Sequence, residues 1–394
     1  MRIVHTSDWH LGQNFYRFDR EEEHLCFFEQ LAEVLRRERP DALVVSGDVF
    51  HNSAPSISAQ RLFVEGVMML ADSSPETTIV ITAGNHDSGS RLDAERLLWR
   101  RLGVHVVGGC QRLPDGTFDP NQFVVEISGK GYIIAAPYFH TSNYPLASAD
   151  MDREDRQRGF FDALLGSVGD TGLPVVMMAH LAVAGCDTLG HEDEPVGGML
   201  KENLSELGEG YDYLALGHIH RPQQINPRVY YSGSPLPLSF SEAYSHFVNI
   251  VEIAERGALP TVEQVGIVPQ RRVKTVPQGG APLQEALDSL GDLDDADDSY
   301  IRVLVDQEDV IAADAEDRAR KIVDGKACRF CEIRRKPRKY VPKNGDLPEI
   351  TEIEDFTQIK PIDIVRRSYE RKTGTAMNDL LIEMMNRAIE LAEE

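Results

Sequence analysis

The chain has 394 residues, with 41 Lys and Arg against 64 Asp and Glu, a formal net charge of −23. Hydrophobic residues at 42% and charged residues at 27% are ordinary globular values, so collagen-like, coiled-coil and wholly disordered chains are excluded. The length suggests two or three domains, and no apolar run approaches the ~20 residues that span a bilayer.

The N-terminus reaches the polar Ser7-Asp8 before a signal-peptide core can form, so a soluble cytoplasmic protein without membrane attachment is expected. Five scattered cysteines, Cys26, Cys110, Cys186, Cys328 and Cys331, argue against a disulfide framework. Cys328-Arg329-Phe330-Cys331 reads as part of a strand rather than as a redox or metal pair.

In chain order, Ile3–Thr6 reads as a strand. Leu25, Phe28, Leu31, Ala32 and Leu35 then recur at helical spacing, closed by Pro40. Ala42–Val45 is a second strand, Leu62–Leu70 a second helix, Thr78–Ile81 a third strand and Leu92–Leu102 a third helix. Phe123–Ile127 and Tyr132–Ala136 flank Ser128-Gly129-Lys130-Gly131 as a hairpin. Val175–Met178 and Tyr213–Leu216 are buried strands, followed by Val229–Tyr231 and Phe247–Val251. This alternation predicts an α/β domain over residues 1–270.

Pro277-Gln278-Gly279-Gly280 reads as a linker. A helix near Leu283–Leu290, the acidic loop Asp292–Asp298, a strand at Tyr300–Val305, a helix near Ile311–Val323 and a strand at Cys328–Ile333 form a small α/β domain over 271–342. Residues 343–394 read as a polar linker and two helices. The second of these, with Met377, Leu380, Leu381, Met384 and Ala388, has an apolar stripe suited to lying on a partner.

Each early strand runs into a residue type that binds metals. The first leads to Asp8-Trp9-His10, the second to Gly47-Asp48 and the third to Gly84-Asn85-His86-Asp87. Val175–Met178 leads to His180, and Tyr213–Leu216 to Gly217-His218-Ile219-His220. In open α/β sheets, ligands bind beyond the carboxyl ends of the strands. Convergence there gathers Asp8, His10, Asp48, Asn85, His180, His218 and His220, with His86 beside them. A single histidine of this kind is readily a satisfied core residue. The whole set, buried without partners, costs several kcal/mol per group, which metal ions relieve. Gly47, Gly84 and Gly217 each precede such a residue and permit sharp turns and close backbone approach. Imidazole, carboxylate and amide oxygen without thiolate suit Mn²⁺, Fe²⁺ or Zn²⁺. Seven ligands with one shared carboxylate make two ions ~3.5–4 Å apart, the spacing of two-metal phosphoester hydrolases.

In order and spacing, these motifs resemble the signature of the calcineurin-like metallophosphoesterases. His5-Thr6-Ser7-Asp8-Trp9-His10-Leu11-Gly12, Ser46-Gly47-Asp48-Val49-Phe50, Leu216-Gly217-His218-Ile219-His220 and Tyr231-Ser232-Gly233-Ser234-Pro235 resemble, more narrowly, the SbcD family of bacterial DNA-repair nucleases. Up to about residue 270 the resemblance rests on matched residues, and beyond that on domain order. It implies a two-sheet core, a β-sandwich flanked by helices, with a small α/β capping domain and C-terminal partner-binding helices. It implies one ion on Asp8, His10 and His220, a second on Asn85, His180 and His218, and Asp48 bridging both, with Mn²⁺ foremost. His86 is then a catalytic group beside the scissile phosphate, Asp87 its orienting partner, and His51 a second active-site histidine.

The activity implied is double-strand exonuclease and single-strand or hairpin endonuclease cleavage in DNA break processing, with the ATPase SbcC as partner. Homodimerisation through the helices around Leu62–Leu70 and Leu92–Leu102, with Phe63, Val67 and Leu98, is implied in the same way, within a heterotetramer. A net charge of −23 is unlike that of a free duplex binder, so a partner supplying DNA-binding surface is expected. The densest basic stretch is Arg334–Lys339. The rival functions are another calcineurin-like phosphodiesterase or phosphatase, or a scaffold subunit with a vestigial site.

Overall fold

The computed structural model describes residues 1–114, 117–140, 143–145, 153–188, 201–307, 310–336 and 373–378, with scattered further positions between 362 and 387. His191, the linker at 343–361, Pro337-Arg338-Lys339 and, from the C-terminal apolar stripe, Leu380 and Ala388 lie outside the described residues. The chain divides into two compact units. The first comprises Met1–Lys274, Asp295–Ile301 and Lys326–Cys331; the second comprises Thr275–Asp294, Arg302–Gly325 and Glu332–Glu394.

Two six-stranded sheets build the first unit. One carries β1 (Arg2–Thr6), β2 (Ala42–Ser46), β3 (Thr78–Thr82) and β4 (Val104–Val107), and the other β5 (Val124–Ile127), β6 (Gly131–Ala135), β7 (Val175–His180), β8 (Tyr213–Gly217), β9 (Gln223–Asn226) and β10 (Val229–Tyr231). The strands β11 (His246–Glu252) and β12 (Thr261–Ile267) return to the first sheet. The orders are β12-β11-β1-β2-β3-β4 and β5-β6-β7-β8-β10-β9.

Alternation along the strands explains the layering. Ile3, Ala42, Val44 and Val80 join a core with β6, β7 and β8, so they face the second sheet. Their neighbours Val4, Leu43, Val45, Ile79 and Ile81 face the other way, onto α1 (Glu21–Glu38) and α2 (Ile57–Ser73). Both faces of the central strands are therefore apolar, and the sequence reads as unbroken Val/Leu/Ile runs. His5 lies on the inter-sheet face, fully buried, with Nδ1 2.9 Å from the Tyr213 hydroxyl. α5 (Arg153–Val168), which has no counterpart among the elements expected from the sequence, buries Phe160, Phe161, Leu164 and Val168 in the same core.

The continuous helix expected over Leu92–Leu102 is instead broken. α3 (Gly89–Leu92) and α4 (Arg96–Trp99) alternate with 3₁₀ turns at Asp93–Glu95 and Arg100–Leu102. Leu92 and Trp99 are buried but Leu97 and Leu98 are not, so no single apolar stripe supports a regular helix. The inferred dimer contact needs a related correction. Phe63 and Val67 are 6% and 0% exposed and belong to the core, which leaves Leu98, 64% exposed, as the surface residue of that trio.

In the second unit, α6 (Leu283–Gly291) packs on α7 (Ala315–Ile322), and Leu283, Ala286, Leu287 and Leu290 are buried at the spacing the sequence predicts. The expected linker at Pro277–Gly280 is a strand, part of β13 (Val273–Ala281), which pairs with β14 (Tyr300–Val305), itself followed in the sheet by β15 (Arg329–Arg335). All five cysteines are free. Among the described residues, no helix is long and apolar enough to cross a membrane.

Candidate metal centre

Parallel register levels the strand ends. Ser46 pairs with Thr82 between β2 and β3, and His180 with Gly217 between β7 and β8. The loops that follow therefore leave both sheets side by side. They also stay tied together: the Asp8 amide donates to the Gly47 carbonyl (3.1 Å) and the His10 amide to the Asp48 carbonyl (3.0 Å).

Asp8, His10, Asp48 and His218 all have positive φ, at 53°, 48°, 48° and 93°. A left-handed non-glycine residue costs of order 1–3 kcal/mol and persists only where its surroundings over-determine it. Four such residues at one end of two sheets mark a backbone shaped to aim side chains inward.

Close approach accounts for the glycines. A Cβ on Gly47, whose φ is 81°, would strike the His180 ring and lie 2.9 Å from the Gly84 Cα. One on Gly84 would collide with Asp48, and one on Gly217 with the Ser46 carbonyl.

The seven expected ligand residues come together. Donor atoms of Asp8, His10 and His220 lie within 4.8 Å of one another, as do those of Asp8, Asp48 and His180, and those of His10, His51 and His86. Asn85 Oδ1 lies 2.9 Å from both His180 Nε2 and His218 Nδ1. Asp48 Oδ2 stands between the halves, 3.6 Å from His10 Nε2 and 3.4 Å from His180 Nε2. The other ring nitrogen of His180 is held by the Ser46 carbonyl at 2.9 Å. Asp8, His10, Asp48 and His180 are each at most 2% exposed.

Buried acids and imidazoles at this density perturb one another. Burial opposes ionisation of Asp48, but the charge and hydrogen bond of His180, then His10, hold its carboxyl well below the usual range. Burial would lower His180, yet Asp48 and Asp8 raise it to about 9. His10 is pushed well below the ordinary histidine value by burial, with His220, His86 and His51 adding to the shift against Asp48. Burial raises Asp8 despite His180 and His220.

The residues fit a divalent cation. His10 Nε2 is buried and has no hydrogen-bond partner. Such an orphan costs about 1–3 kcal/mol, which a cation shared with the facing carboxylates removes. Imidazole, carboxylate and amide oxygen without thiolate form a borderline-hard donor set.

One expectation about roles changes. The Asp87 carboxylate makes no hydrogen bond to the His86 ring. It accepts the backbone amides of Gly84 (2.8 Å), Val49 (3.0 Å) and Phe50 (2.8 Å), pinning the β3 loop to the β2 loop. Burial first, then Asp48, pushes Asp87 up to about 7 against those three donors. His86 Nδ1 instead meets the His51 carbonyl oxygen at 2.8 Å, and the rings of His51 and His86 stack at 5.8 Å.

Glu242 is a member of the site that the sequence does not reveal. Antiparallel pairing sets the start of β11 beside the end of β1, with His5 opposite Asn249. The segment before β11 therefore passes beneath the centre. There Glu242, side chain 1% exposed, accepts His220 Nδ1 at 3.0 Å. No spacing rule points to it; the one signal is an acidic residue amid the apolar and small residues of Leu236–Ser241.

Residues 1–222 match the family described as calcineurin-like phosphoesterase, and residues 269–373 match one described as type 5 capsule protein repressor C-terminal domain. A Rhodobacter capsulatus protein, named as the SbcD subunit of the nuclease SbcCD, is 36% identical over 308 residues, 74% of this chain and 75% of the relative. Its namesake from Escherichia coli K12 is 32% identical over 287 residues, 68% of each chain. The Bacillus subtilis namesake is 30% identical over 413 aligned positions, 100% of this chain and 98% of the relative.

Proposed function

The chain belongs to the calcineurin-like phosphoesterases and, within them, to the SbcD nucleases, and from that membership we propose a Mn²⁺-dependent DNA nuclease that works with the ATPase SbcC on double-stranded ends and hairpins. The observation that carries the two-ion reading is Asp48 Oδ2, poised between His10 Nε2 and His180 Nε2 at 3.6 and 3.4 Å.

Asp8, His10 and His220 would hold one ion, Asn85, His180 and His218 the other, and Asp48 both. When bound, the ions supply positive charge against the phosphate and activate the attacking water. The chain's own part is orientation and proton handling. The Ser46 carbonyl accepts a hydrogen bond from Nδ1–H of His180, which leaves Nε2 for the centre. The His51 carbonyl accepts from Nδ1–H of His86, so the imidazolium form of His86 would present Nε2–H to the leaving oxygen and protonate it.

A net charge of −23 opposes unaided duplex binding, which favours a partner that supplies much of the DNA surface. We assign SbcC docking to residues 343–394 and dimer formation to the surface around Leu97 and Leu98, 70% and 64% exposed. The test is turnover of blunt duplex, hairpin DNA and bis-p-nitrophenyl phosphate with Mn²⁺, Mg²⁺ or Zn²⁺, with and without SbcC and ATP. Mn²⁺-dependent cleavage of both DNA substrates is expected. Turnover of the small diester alone indicates another phosphodiesterase, and no turnover with no bound metal indicates a scaffold.

A further inference from the structure

Glu242 lies outside every motif that defines the centre, yet its buried carboxylate touches one of the centre's imidazoles. A carboxylate taken out of water carries a penalty of several kcal/mol unless hydrogen bonds satisfy it. Both oxygens of Glu242 are satisfied. Oε1 accepts His220 Nδ1 at 3.0 Å, while Oε2 accepts the Leu238 amide at 3.0 Å and the Ser234 hydroxyl at 3.3 Å. The segment is itself anchored: the Ser234 amide donates to the His220 carbonyl at 3.0 Å, and Arg20 Nη1 to the Pro237 carbonyl at 2.7 Å. The carboxylate is therefore a fixed acceptor rather than a mobile one.

An ionised carboxylate can only accept, so the bond places the His220 proton on Nδ1. That leaves the Nε2 lone pair for the group His220 forms with Asp8 and His10. Held this way, the imidazole loses rotational freedom and gains basicity as a ligand.

We infer that Glu242 is a positioning residue that tunes the affinity of one metal ion, the one on Asp8, His10 and His220, and leaves the other nearly untouched. The inference rests on the two-ion reading above. In the second group, His180 is oriented by a backbone carbonyl that substitution cannot remove.

The experiment is calorimetric Mn²⁺ titration of the full-length apoprotein, with melting of the apoprotein as a control. Glu242→Gln keeps an oxygen for His220 but loses the charge, and it sets an amide against the Leu238 donor. It should weaken one of two binding events by about 10–100-fold and leave the other within about threefold. In a His220→Ala background, the same change should have no further effect, because Glu242 acts through that ring. Equal losses in both events, or a further loss without His220, would mean a merely structural role and overturn the inference. Should Glu242→Gln fail to fold, Ser234→Ala removes one support of the carboxylate and should weaken the same event roughly threefold; unchanged affinities there also overturn it. A wild-type protein that binds fewer than two ions overturns the two-ion reading and the inference with it, whereas two wild-type ions with an unaffected variant sink the inference alone.

Discussion

His86 Nδ1 lies 2.8 Å from the backbone carbonyl oxygen of His51. A carbonyl only accepts, so that contact settles which nitrogen of His86 carries the proton. The main chain fixes a proton on Nδ1, and in the proposed mechanism a second proton, on Nε2 of the imidazolium, goes to the leaving oxygen. His86→Gln should therefore lower kcat by about 10²–10⁴-fold. Mn²⁺ stoichiometry and melting temperature should stay at wild-type values, since no assigned metal ligand or core contact is lost. Single-turnover cleavage with calorimetry on the same preparation checks this; a wild-type rate ends the assignment.

Asp87 has a different task from the one its position beside His86 suggests. It staples the β3 loop to the β2 loop through the Val49 and Phe50 amides and closes its own loop through the Gly84 amide. Each such bond is worth about 1 kcal/mol, and more while the carboxyl is ionised. Asp87→Asn turns one acceptor into a donor facing an amide, so the melting temperature should fall by several degrees. Mn²⁺ affinity should fall with it, because Asn85 rides on the same loop. Were Asp87 an orienter of His86, kcat would drop at constant stability and constant metal affinity.

The strand ends carried the legible signal. Asp8, Asp48, His180 and His218 follow or end apolar runs that only a buried sheet explains, and Gly47, Gly84 and Gly217 mark the tight turns. What sequence could not carry is contact made through tertiary pairing. Glu242 reaches His220 because β11 runs antiparallel to β1, a pairing with no local signature. His86 is oriented by a backbone carbonyl, which every residue type possesses. The Pro277–Gly280 strand was hidden because proline and glycine weaken a strand but are tolerated where pairing elsewhere along it suffices. The broken α3–α4 region carries a helical pattern in sequence because Leu98 and Leu102 stand one turn apart, yet both face solvent.

His5 couples stability to pH without touching the centre's metal groups. It is sealed between the sheets against Tyr213, and burial pushes it down to about 3 despite a backbone contact with Leu216. The unfolded chain titrates at its ordinary 6.5. Between those values the unfolded state binds a proton that the folded state refuses. The contribution of His5 to stability is full above pH 6.5 and falls as pH drops through that window, by about 1.4 kcal/mol per unit. Urea unfolding of the apoprotein at about pH 7 and about pH 5 should show His5→Gln losing about 2 kcal/mol less than wild type between the two. Equal losses would remove His5 from the acid sensitivity.

Gly217 gives the sharpest steric test. Its missing side chain leaves room for the Ser46 carbonyl, the same oxygen that holds His180 Nδ1 at 2.9 Å. A methyl group there would strike that oxygen and lie 2.8 Å from His180 Nδ1, so the bond must break or the ring must turn. Gly217→Ala should destabilise by about 1–3 kcal/mol and weaken the ion assigned to Asn85, His180 and His218, sparing the one on His220. Gly66→Ala is the matched control, because its added Cβ would strike the Phe28 ring in the core beneath α1 and α2. Both variants should melt lower, and only Gly217→Ala should alter Mn²⁺ binding. If the two show the same metal affinities, close packing at Gly217 serves the fold and not the centre.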